Sequence, residues 1–200
     1  EPLGIPSRNL AALIEPLKAK GHEVVAYDEQ TDSEEELMAR AAGADVLVVA
    51  NQPLSHRVIA SVENLSMILV AFTGVDHIDR TACLEKGVTV CNAAGYSTDS
   101  VAELAFGLMI SVLRNIIPCD AAVRSGGTRA AFPGRDLAGK TLGIIGTGSI
   151  GLRVAEIGRA FGCRLLGYSR TRRQAAVDLG IEYVSLEELL RQSDIVTIHT

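Results

Sequence analysis

The first half of the chain alternates short apolar runs with amphipathic stretches. The apolar runs predict four buried strands, at residues 23–27, 45–50, 67–72 and 88–91. The stretches before and between them have helical spacing and predict helices at 7–21, 33–43 and 56–62. Continuous apolar strands that are separated by helices are typical of a parallel sheet covered on both faces.

The same alternation returns in the second half, around a polar segment at 117–140. Strands are predicted at 141–146, 163–168, 181–184 and 194–200. Helices are predicted at 98–116, 149–162, 171–180 and 185–192. A boundary near residues 92–98 separates the two series. The sequence therefore predicts an α/β protein with two parallel-sheet domains, residues 1–95 and 96–200.

Local signals support several of these helices. In a capping box, a serine side chain and a glutamate three residues later satisfy backbone N–H groups at a helix start. Three pairs have this spacing: Ser33 with Glu36, Ser100 with Glu103, and Ser185 with Glu188. The second pair is assigned to the start of the long helix 98–116.

The composition narrows the class of protein. The 200 residues are 48% hydrophobic and 22% charged with a net charge of -5, which fits a sizeable core and argues against a nucleic-acid-binding surface. No apolar run approaches the ~18 residues of a membrane helix, so no membrane partner is expected. The four cysteines are widely spaced without a CxxC pair. This pattern predicts reduced, mostly buried thiols, no metal site and a cytoplasmic location.

Three glycines follow the first strand of the second series with the spacing GxGxxG. Gly146, Gly148 and Gly151 stand between an apolar strand and a helix, as a dinucleotide-binding fingerprint requires. The first glycine allows a tight turn, the second lets the backbone approach a pyrophosphate, and the third lets the helix pack on the strand. The N–H groups of Ser149 and Ile150 are predicted to face the phosphates. A glycine-rich turn without a ligand is the alternative.

The residue that reads the cofactor ribose is expected at the end of the next strand, about 20 residues after the loop. That position holds Ser169, within the stretch GYSRTRR (167–173), where a carboxylate is usual. Serine removes the repulsion of a 2′-phosphate, and the planar guanidinium of Arg170 offers it a partner. The pattern favours NADP(H). NAD(H) is possible if the arginines only form a solvated helix start.

Three separated stretches resemble one family. AFTGVDHID (71–79), NAAGYSTDSVAELAFGLM (92–109) and GKTLGIIGTGSIGLRVAEIGRAFG (139–162) together resemble the D-isomer-specific 2-hydroxyacid dehydrogenases. The resemblance implies a flavodoxin-like substrate domain, residues 1–95, and an incomplete Rossmann cofactor domain, residues 96–200. It also implies hydride transfer between NAD(P)(H) and a small D-2-hydroxy acid or 2-keto acid.

The resemblance assigns roles to single residues. Thr73 and Gly74 match the loop whose backbone amides hold the substrate carboxylate, and Thr73 also matches a cofactor contact. Tyr96 matches a position where some family members place a phenol near the substrate. Thr98 and Thr200 match positions beside the cofactor.

Other features of these stretches have structural explanations. Asp76 and Asp79 are interpreted as turn and helix-cap groups, and His77 as a surface or hydrogen-bonded histidine. The long helix 98–116 is apolar enough to pack into the core. In the family that helix also packs in a two-fold dimer, so a homodimer is implied.

The resemblance implies that the catalytic residues are not among the 200 residues of this chain. The family uses an arginine for the substrate, a histidine as general acid and base, and a glutamate that orients the histidine, all beyond the point where this chain stops. None of the histidines matches by motif: His22, His56, His77 and His199. No catalytic residue is therefore assigned here.

The chain is interpreted as a fragment that is inactive alone. Only four of the six strands of a doubly wound nucleotide sheet can be counted from residue 141 onward. The alternative to an enzyme is an NAD(H)-sensing, corepressor-like binding protein of the same fold.

Overall fold

The computed structural model describes residues 2–200, which divide into two compact units. The first unit ends at Tyr96 and the second comprises Ser97–Thr200, one residue away from the division expected from the sequence. Each unit is built from helices and a parallel sheet. The predicted α/β class with two parallel sheets is thereby confirmed.

The first unit has a three-stranded parallel sheet with the order β1-β2-β3. Its elements in chain order are α1 (Ser7–Lys18), α2 (Glu34–Ala41), β1 (Val46–Val49), α3 (His56–Ser61), β2 (Met67–Val70), α4 (Arg80–Lys86) and β3 (Thr89–Asn92). Ile68 on the central strand pairs with Leu47 on one side and Val90 on the other. Ile68 and Ile59 are fully buried and lie at the centre of this core.

The predicted strand at 23–27 is wrong. These residues form no strand, and β1 lies at the edge of the sheet. The side chain of Val25 is 65% exposed. A strand needs a neighbour for its backbone N–H and C=O groups, and an apolar run does not by itself supply one. The other three strands predicted in this half are confirmed.

The second unit has a four-stranded parallel sheet with the order β6-β5-β4-β7. Its elements are α5 (Thr98–Leu113), α6 (Ile116–Arg124), a 3-10 turn (Arg129–Ala131), β4 (Thr141–Ile145), α7 (Ser149–Ala160), β5 (Arg164–Tyr168), α8 (Gln174–Asp178), β6 (Glu182–Tyr183), α9 (Leu186–Gln192) and β7 (Ile195–Ile198). The chain builds outward from β4 to β6 and then places β7 on the other side of β4. This order matches four strands of a doubly wound nucleotide-binding sheet, and all four predicted strands are confirmed.

The long helix ends earlier than predicted. α5 stops at Leu113, Asn115 takes a left-handed conformation with φ 52°, and α6 follows within the segment expected to be polar. Pro118 lies in the first turn of α6. Its missing N–H therefore costs no intrahelical hydrogen bond, and a new helix can begin there.

Two of the predicted serine caps are present. The Ser33 hydroxyl accepts a hydrogen bond from the Glu36 N–H at 3.3 Å. The Ser185 hydroxyl accepts one from the Glu188 N–H at 3.2 Å. Each bond satisfies a backbone donor that the helix itself leaves free.

The predicted capping box of Ser100 and Glu103 is wrong. α5 begins at Thr98, so Ser100 is already inside the helix. Its hydroxyl donates to the carbonyl of Ser97 at 3.2 Å. The Ser–Glu spacing recurred inside a helix, where serine hydroxyls commonly bond to a preceding carbonyl.

The four cysteines are free in the part of the chain that the structure describes. Cys83 is buried, Cys119 and Cys163 are half-buried, and Cys91 is exposed. The prediction of mostly buried thiols is wrong, because β3, which carries Cys91, lies at a sheet edge. Within residues 2–200 no single helix is long and apolar enough to cross a membrane, and α5 and α6 qualify only as a pair bent by 57°.

Candidate dinucleotide-binding site

Gly146 and Gly151 are required by the packing of the turn between β4 and α7. Gly146 has φ +92°, and a Cβ there would overlap the carbonyl oxygen of His199. A Cβ on Gly151, in the first turn of α7, would overlap the carbonyl oxygen of Gly146. These two glycines explain how the chain turns so tightly, and by themselves they do not indicate a ligand.

Gly148 has a different reason to be glycine. Its φ of -74° and ψ of -165° suit any residue. Apart from Gly148 itself and its two neighbours in the chain, no described residue has an atom within 4 Å of the point that its Cβ would occupy. The packing of the protein therefore does not require glycine here. A missing side chain that leaves open space lets another molecule approach the backbone, as the middle glycine of the fingerprint does for a pyrophosphate.

The space beside Gly148 is a cavity of about 340 Å³ at the carboxyl ends of β4, β5 and β7. Its walls are formed by Ile145, Gly146, Gly148, Tyr168, Ser169, Arg170, Thr171, Arg173, His199 and Thr200. The strand order reverses between β4 and β7, and ligands of doubly wound sheets bind outside the carboxyl ends of the strands at such a point. The volume is in the range of small-molecule sites.

One wall of this cavity is basic. Ser169 follows β5 directly, and Arg170 and Arg173 stand beside it. Arg172 does not line the cavity, and its guanidinium lies over the ring of Tyr183, 5.6 Å from the centroid. Within residues 2–200 no carboxylate oxygen forms an ion pair with any of these arginines. Guanidinium groups that lack acidic partners fit a ligand that carries phosphate.

His199 lies in the same cavity, at the end of β7. Its Nε2 is 2.8 Å from the hydroxyl of Thr197. Burial lowers the pKa of the imidazole, which favours the neutral ring at pH 7. His199, Thr171 and Arg173 line the cavity but are absent from the predicted cofactor residues. Their position just after the carboxyl end of a strand was the available signal.

A second depression, of about 360 Å³, lies near the amino end of β5. Arg159, Cys163 and Asp178 are among the residues that line it. Burial raises the pKa of the Cys163 thiol, and its Sγ donates to the carbonyl of Leu137 at 3.5 Å. A protonated, partnered thiol at the amino ends of the strands does not suggest chemistry. The candidate site is therefore the cavity beside Gly148.

The structure brings together only part of the predicted cofactor set. The predicted residues that line the cavity are Gly146, Gly148, Ser169, Arg170 and Thr200. Ser149 and Ile150 are the first two residues of α7, immediately after Gly148, but they do not line the cavity. Thr98 is the first residue of α5 and does not line the cavity either. Thr73 belongs to the first unit.

The predicted substrate residues gather at the carboxyl end of β2. Thr73 and Gly74 are exposed in the loop that follows this central strand. The side-chain amide of Asn92 donates to the carbonyl of Thr73 at 2.6 Å and ties the loop to the end of β3. The ring of Tyr96 packs against Phe72 with 5.9 Å between centroids. The loop and the phenol therefore lie at the same end of the first sheet.

Two further predictions in this loop have different outcomes. Asp79 caps α4, since its Oδ1 accepts from the Ala82 N–H at 2.9 Å, and this prediction is confirmed. The prediction that His77 is a surface or hydrogen-bonded histidine is wrong. Its ring is partly buried, and within the described residues its Nε2 has no hydrogen-bond partner. The backbone sets this position, because the His77 carbonyl accepts from the Leu54 N–H at 3.0 Å.

Similarity to known proteins places the chain in a family. Residues 106–200 match the family model described as D-isomer specific 2-hydroxyacid dehydrogenase, NAD binding domain. The chain is 41% identical over 171 residues to the D-3-phosphoglycerate dehydrogenase of Methanocaldococcus jannaschii, covering 84% of this chain and 33% of that relative. It is 39% identical over 167 residues to the hydroxypyruvate reductase of Thermotoga maritima, covering 82% and 54% respectively. The chain belongs to the D-isomer specific 2-hydroxyacid dehydrogenase family.

Solved structures agree with this membership. The D-lactate dehydrogenase of Aquifex aeolicus, complexed with NAD and lactic acid, has a TM-score of 0.87 and 30% identity, covering 98% of this chain and 59% of that one. An acyclic imino acid reductase in complex with NADPH and D-Arg has a TM-score of 0.85 and 27% identity, covering 100% and 63%. Structures similar to this family member thus hold either dinucleotide.

The family match covers part of each relative. The chain spans about half the length or less of the two curated relatives described above. Both of these relatives carry the names of enzymes, one a dehydrogenase and the other a reductase. The corepressor-like alternative therefore gains no support from them.

Proposed function

We propose that the whole protein is an NAD(P)-dependent dehydrogenase that transfers a hydride between the nicotinamide and a small 2-hydroxy or 2-keto acid. The observation that carries this proposal is the cavity beside Gly148, open to the backbone, basic on one wall and placed at the reversal of strand order. Family membership and the printed activities of the relatives support the reaction class.

The residues of the cavity fit a dinucleotide. The open space at Gly148 would receive the pyrophosphate, with the start of α7 behind it. Ser169 and Arg170, at the end of β5, would hold the ribose end, and Thr200 would lie against the cofactor from β7. When bound, the nicotinamide supplies or accepts the hydride. The protein contributes position and charge at fixed points of the sheet.

We propose that the preferred cofactor is NADP(H). Position 169 lacks a carboxylate, and the nearby arginines have no acidic partner among the described residues. Titration of the full-length protein with NADPH and NADH tests this preference, and Ser169→Asp combined with Arg170→Ala should shift it toward NADH. Arg191→Ala, at an exposed arginine that does not line the cavity, is the control. If the unaltered protein binds NADH tenfold more tightly, about 1.4 kcal/mol, the assignment is wrong.

On the substrate side, we propose that the backbone of Thr73 and Gly74 holds a carboxylate and that Tyr96 lies beside it. Consecutive N–H groups after a strand converge readily on an anion, and the Phe72–Tyr96 contact places the phenol near that loop. In a panel of glyoxylate, hydroxypyruvate and lactate, Tyr96→Phe should raise KM for the acid while leaving NADPH binding unchanged. Unchanged KM values across the panel would remove Tyr96 from the site.

We propose that none of the four histidines in this chain is the acid–base group. His56 does form a 3.0 Å pair with Glu85, but the two side chains are 55% and 61% exposed. A pair so exposed is a weak surface interaction. His199 is held by Thr197 in the dinucleotide cavity. His56→Ala should therefore leave kcat of the whole enzyme within about twofold, because the group that transfers the proton lies elsewhere.

We also propose that the protein is a homodimer through α5 and works in the cytoplasm. Leu104, Leu108 and Val112 recur at helical spacing on α5 and are strongly exposed, at 61%, 59% and 76%. An apolar stripe of this kind marks an interaction surface. Leu108→Glu should give a monomer in sedimentation, whereas Leu84→Glu, at an exposed position of α4, should not change the mass. The free thiols fit a reducing compartment.

A further inference from the structure

Tyr183 forms hydrogen bonds with two loops of the candidate site, the glycine loop and the segment 169–173. It ends the short edge strand β6. Its hydroxyl is 2.6 Å from the hydroxyl of Thr147, the residue between the first two glycines of the loop. The same phenol oxygen accepts a hydrogen bond from the backbone N–H of Arg173 at 3.2 Å. One side chain thus contacts both the glycine loop and the segment 169–173.

The hydrogen-bond chemistry fixes the direction of one of these two bonds, and in the other either hydroxyl can donate. The N–H of Arg173 can only donate, so the phenol oxygen accepts from it. The phenol proton is then available to the Thr147 oxygen, which is fully buried and away from water. The Tyr183 hydroxyl therefore bonds the backbone of Arg173, which lines the cavity, and the side chain of Thr147, which belongs to the glycine loop.

The surroundings of the ring hold it in this place. A Cβ on Gly167 of β5 would overlap the side chain of Ile181 and would lie 3.7 Å from the Tyr183 ring and 3.4 Å from the Thr147 methyl group. Glycine at 167 therefore leaves the room in which these side chains meet. On the outside, the guanidinium of Arg172 covers the ring at 5.6 Å from its centroid.

We propose that Tyr183 is a positioning residue that fixes the basic wall of the cavity relative to the glycine loop. Arg170 and Arg173 are exposed side chains on a short loop before α8. The bond from Tyr183 to the Arg173 N–H anchors that loop to Thr147, so that the arginines are held where a phosphate on the ribose would lie. The inference rests on the proposed NADP(H) function, in which Ser169 and Arg170 hold the ribose end of the cofactor and Tyr183 keeps their loop in place.

The test compares Tyr183→Phe with Tyr27→Phe in the full-length protein. Tyr27 is a matched control in the first unit, because its hydroxyl bonds a backbone carbonyl, that of Arg40, and an arginine lies over its ring at 4.6 Å. Tyr183→Phe should weaken NADPH binding about three- to tenfold, the effect of one ordinary hydrogen bond, and NADH binding less than twofold. Tyr27→Phe should change neither.

Limited proteolysis gives a readout that needs no cofactor. Trypsin cleaves after arginine, and a loosened loop should be cut faster after Arg170, Arg172 and Arg173 in Tyr183→Phe, with the sites mapped by mass spectrometry. Thr147→Val should also speed this cleavage, but by less, since it removes only one of the two hydrogen bonds of the Tyr183 hydroxyl.

The outcomes separate the two proposals. If the unaltered protein does not prefer NADPH, the proposed cofactor is wrong and this inference is wrong with it. If it prefers NADPH and Tyr183→Phe changes neither selectivity nor cleavage in the loop, Tyr183 has no positioning role and only this inference is overturned. Equal weakening of NADPH and NADH would also overturn it, because the role would then be general stability.

Discussion

Replacing the three fingerprint glycines by alanine, one at a time, separates their roles. Gly148→Ala places a methyl group in open space at a backbone conformation that alanine adopts freely. Gly146→Ala forces alanine to φ +92° and against the carbonyl of His199. Gly151→Ala sets a methyl group on the carbonyl of Gly146. The same chemical change therefore has three different physical consequences.

The magnitudes follow from these surroundings. A left-handed conformation costs an alanine about 1–2 kcal/mol, and overpacking typically costs about 1–3 kcal/mol more. Gly146→Ala should thus lower the free energy of unfolding by about 2–5 kcal/mol, and Gly151→Ala by about 1–3 kcal/mol. At Gly148, the lower entropy of the unfolded chain and the weaker helix cap have opposite signs. The expected net change there is within about 1 kcal/mol.

The loss of NADPH affinity should be largest for Gly148→Ala, the variant that loses the least stability. Gly148→Ala fills the space in which the pyrophosphate would meet the backbone, so NADPH affinity should fall at least tenfold, about 1.4 kcal/mol. Urea unfolding gives the stability of each variant and fluorescence titration gives its affinity. A Gly148→Ala protein that binds NADPH as well as the unaltered protein would show that no ligand approaches residue 148. A large loss of stability in that variant would show that the space is not free.

Three further predictions concern single contacts. Asp79→Ala removes the cap of α4 and should lower the free energy of unfolding in urea by about 0.5–2 kcal/mol, whereas Asp79→Ser should recover most of it. Gly167→Ala should lower the melting temperature and, by displacing Tyr183, should speed tryptic cleavage at residues 170–173. An unchanged melting temperature together with an unchanged cleavage rate would contradict the close packing around Gly167. The pKa of His199 is lowered by burial, so the unfolded chain takes up the proton first as the pH falls. Stability should be intact above the ordinary value of 6.5 and should decline below it, and His199→Gln should reduce that decline in pH-dependent melting.

Much of the second unit could be predicted from sequence because its signals are local. Buried parallel strands are continuous apolar runs, and the four runs from residue 141 onward are the four strands of its sheet. The run at 23–27 has the same composition but no pairing partner in the structure, and it forms no strand. Serine and glutamate at capping-box spacing likewise marked true starts at Ser33 and Ser185 but an interior position at Ser100. Such patterns show what a segment can do, whereas its neighbours decide what it does.

Residue type and spacing were enough to identify the glycine loop, the serine at 169 and the arginines after it, because turn signals and charge are local properties. The fold was needed to distinguish the three glycines, since Gly146 and Gly151 are explained by carbonyl groups that fold against them and Gly148 is not. It also decided that Thr147 and Tyr183, 36 residues apart, share a hydrogen bond. The physical reason is the sheet order, which brings distant strand ends to one edge, an arrangement that local spacing does not encode.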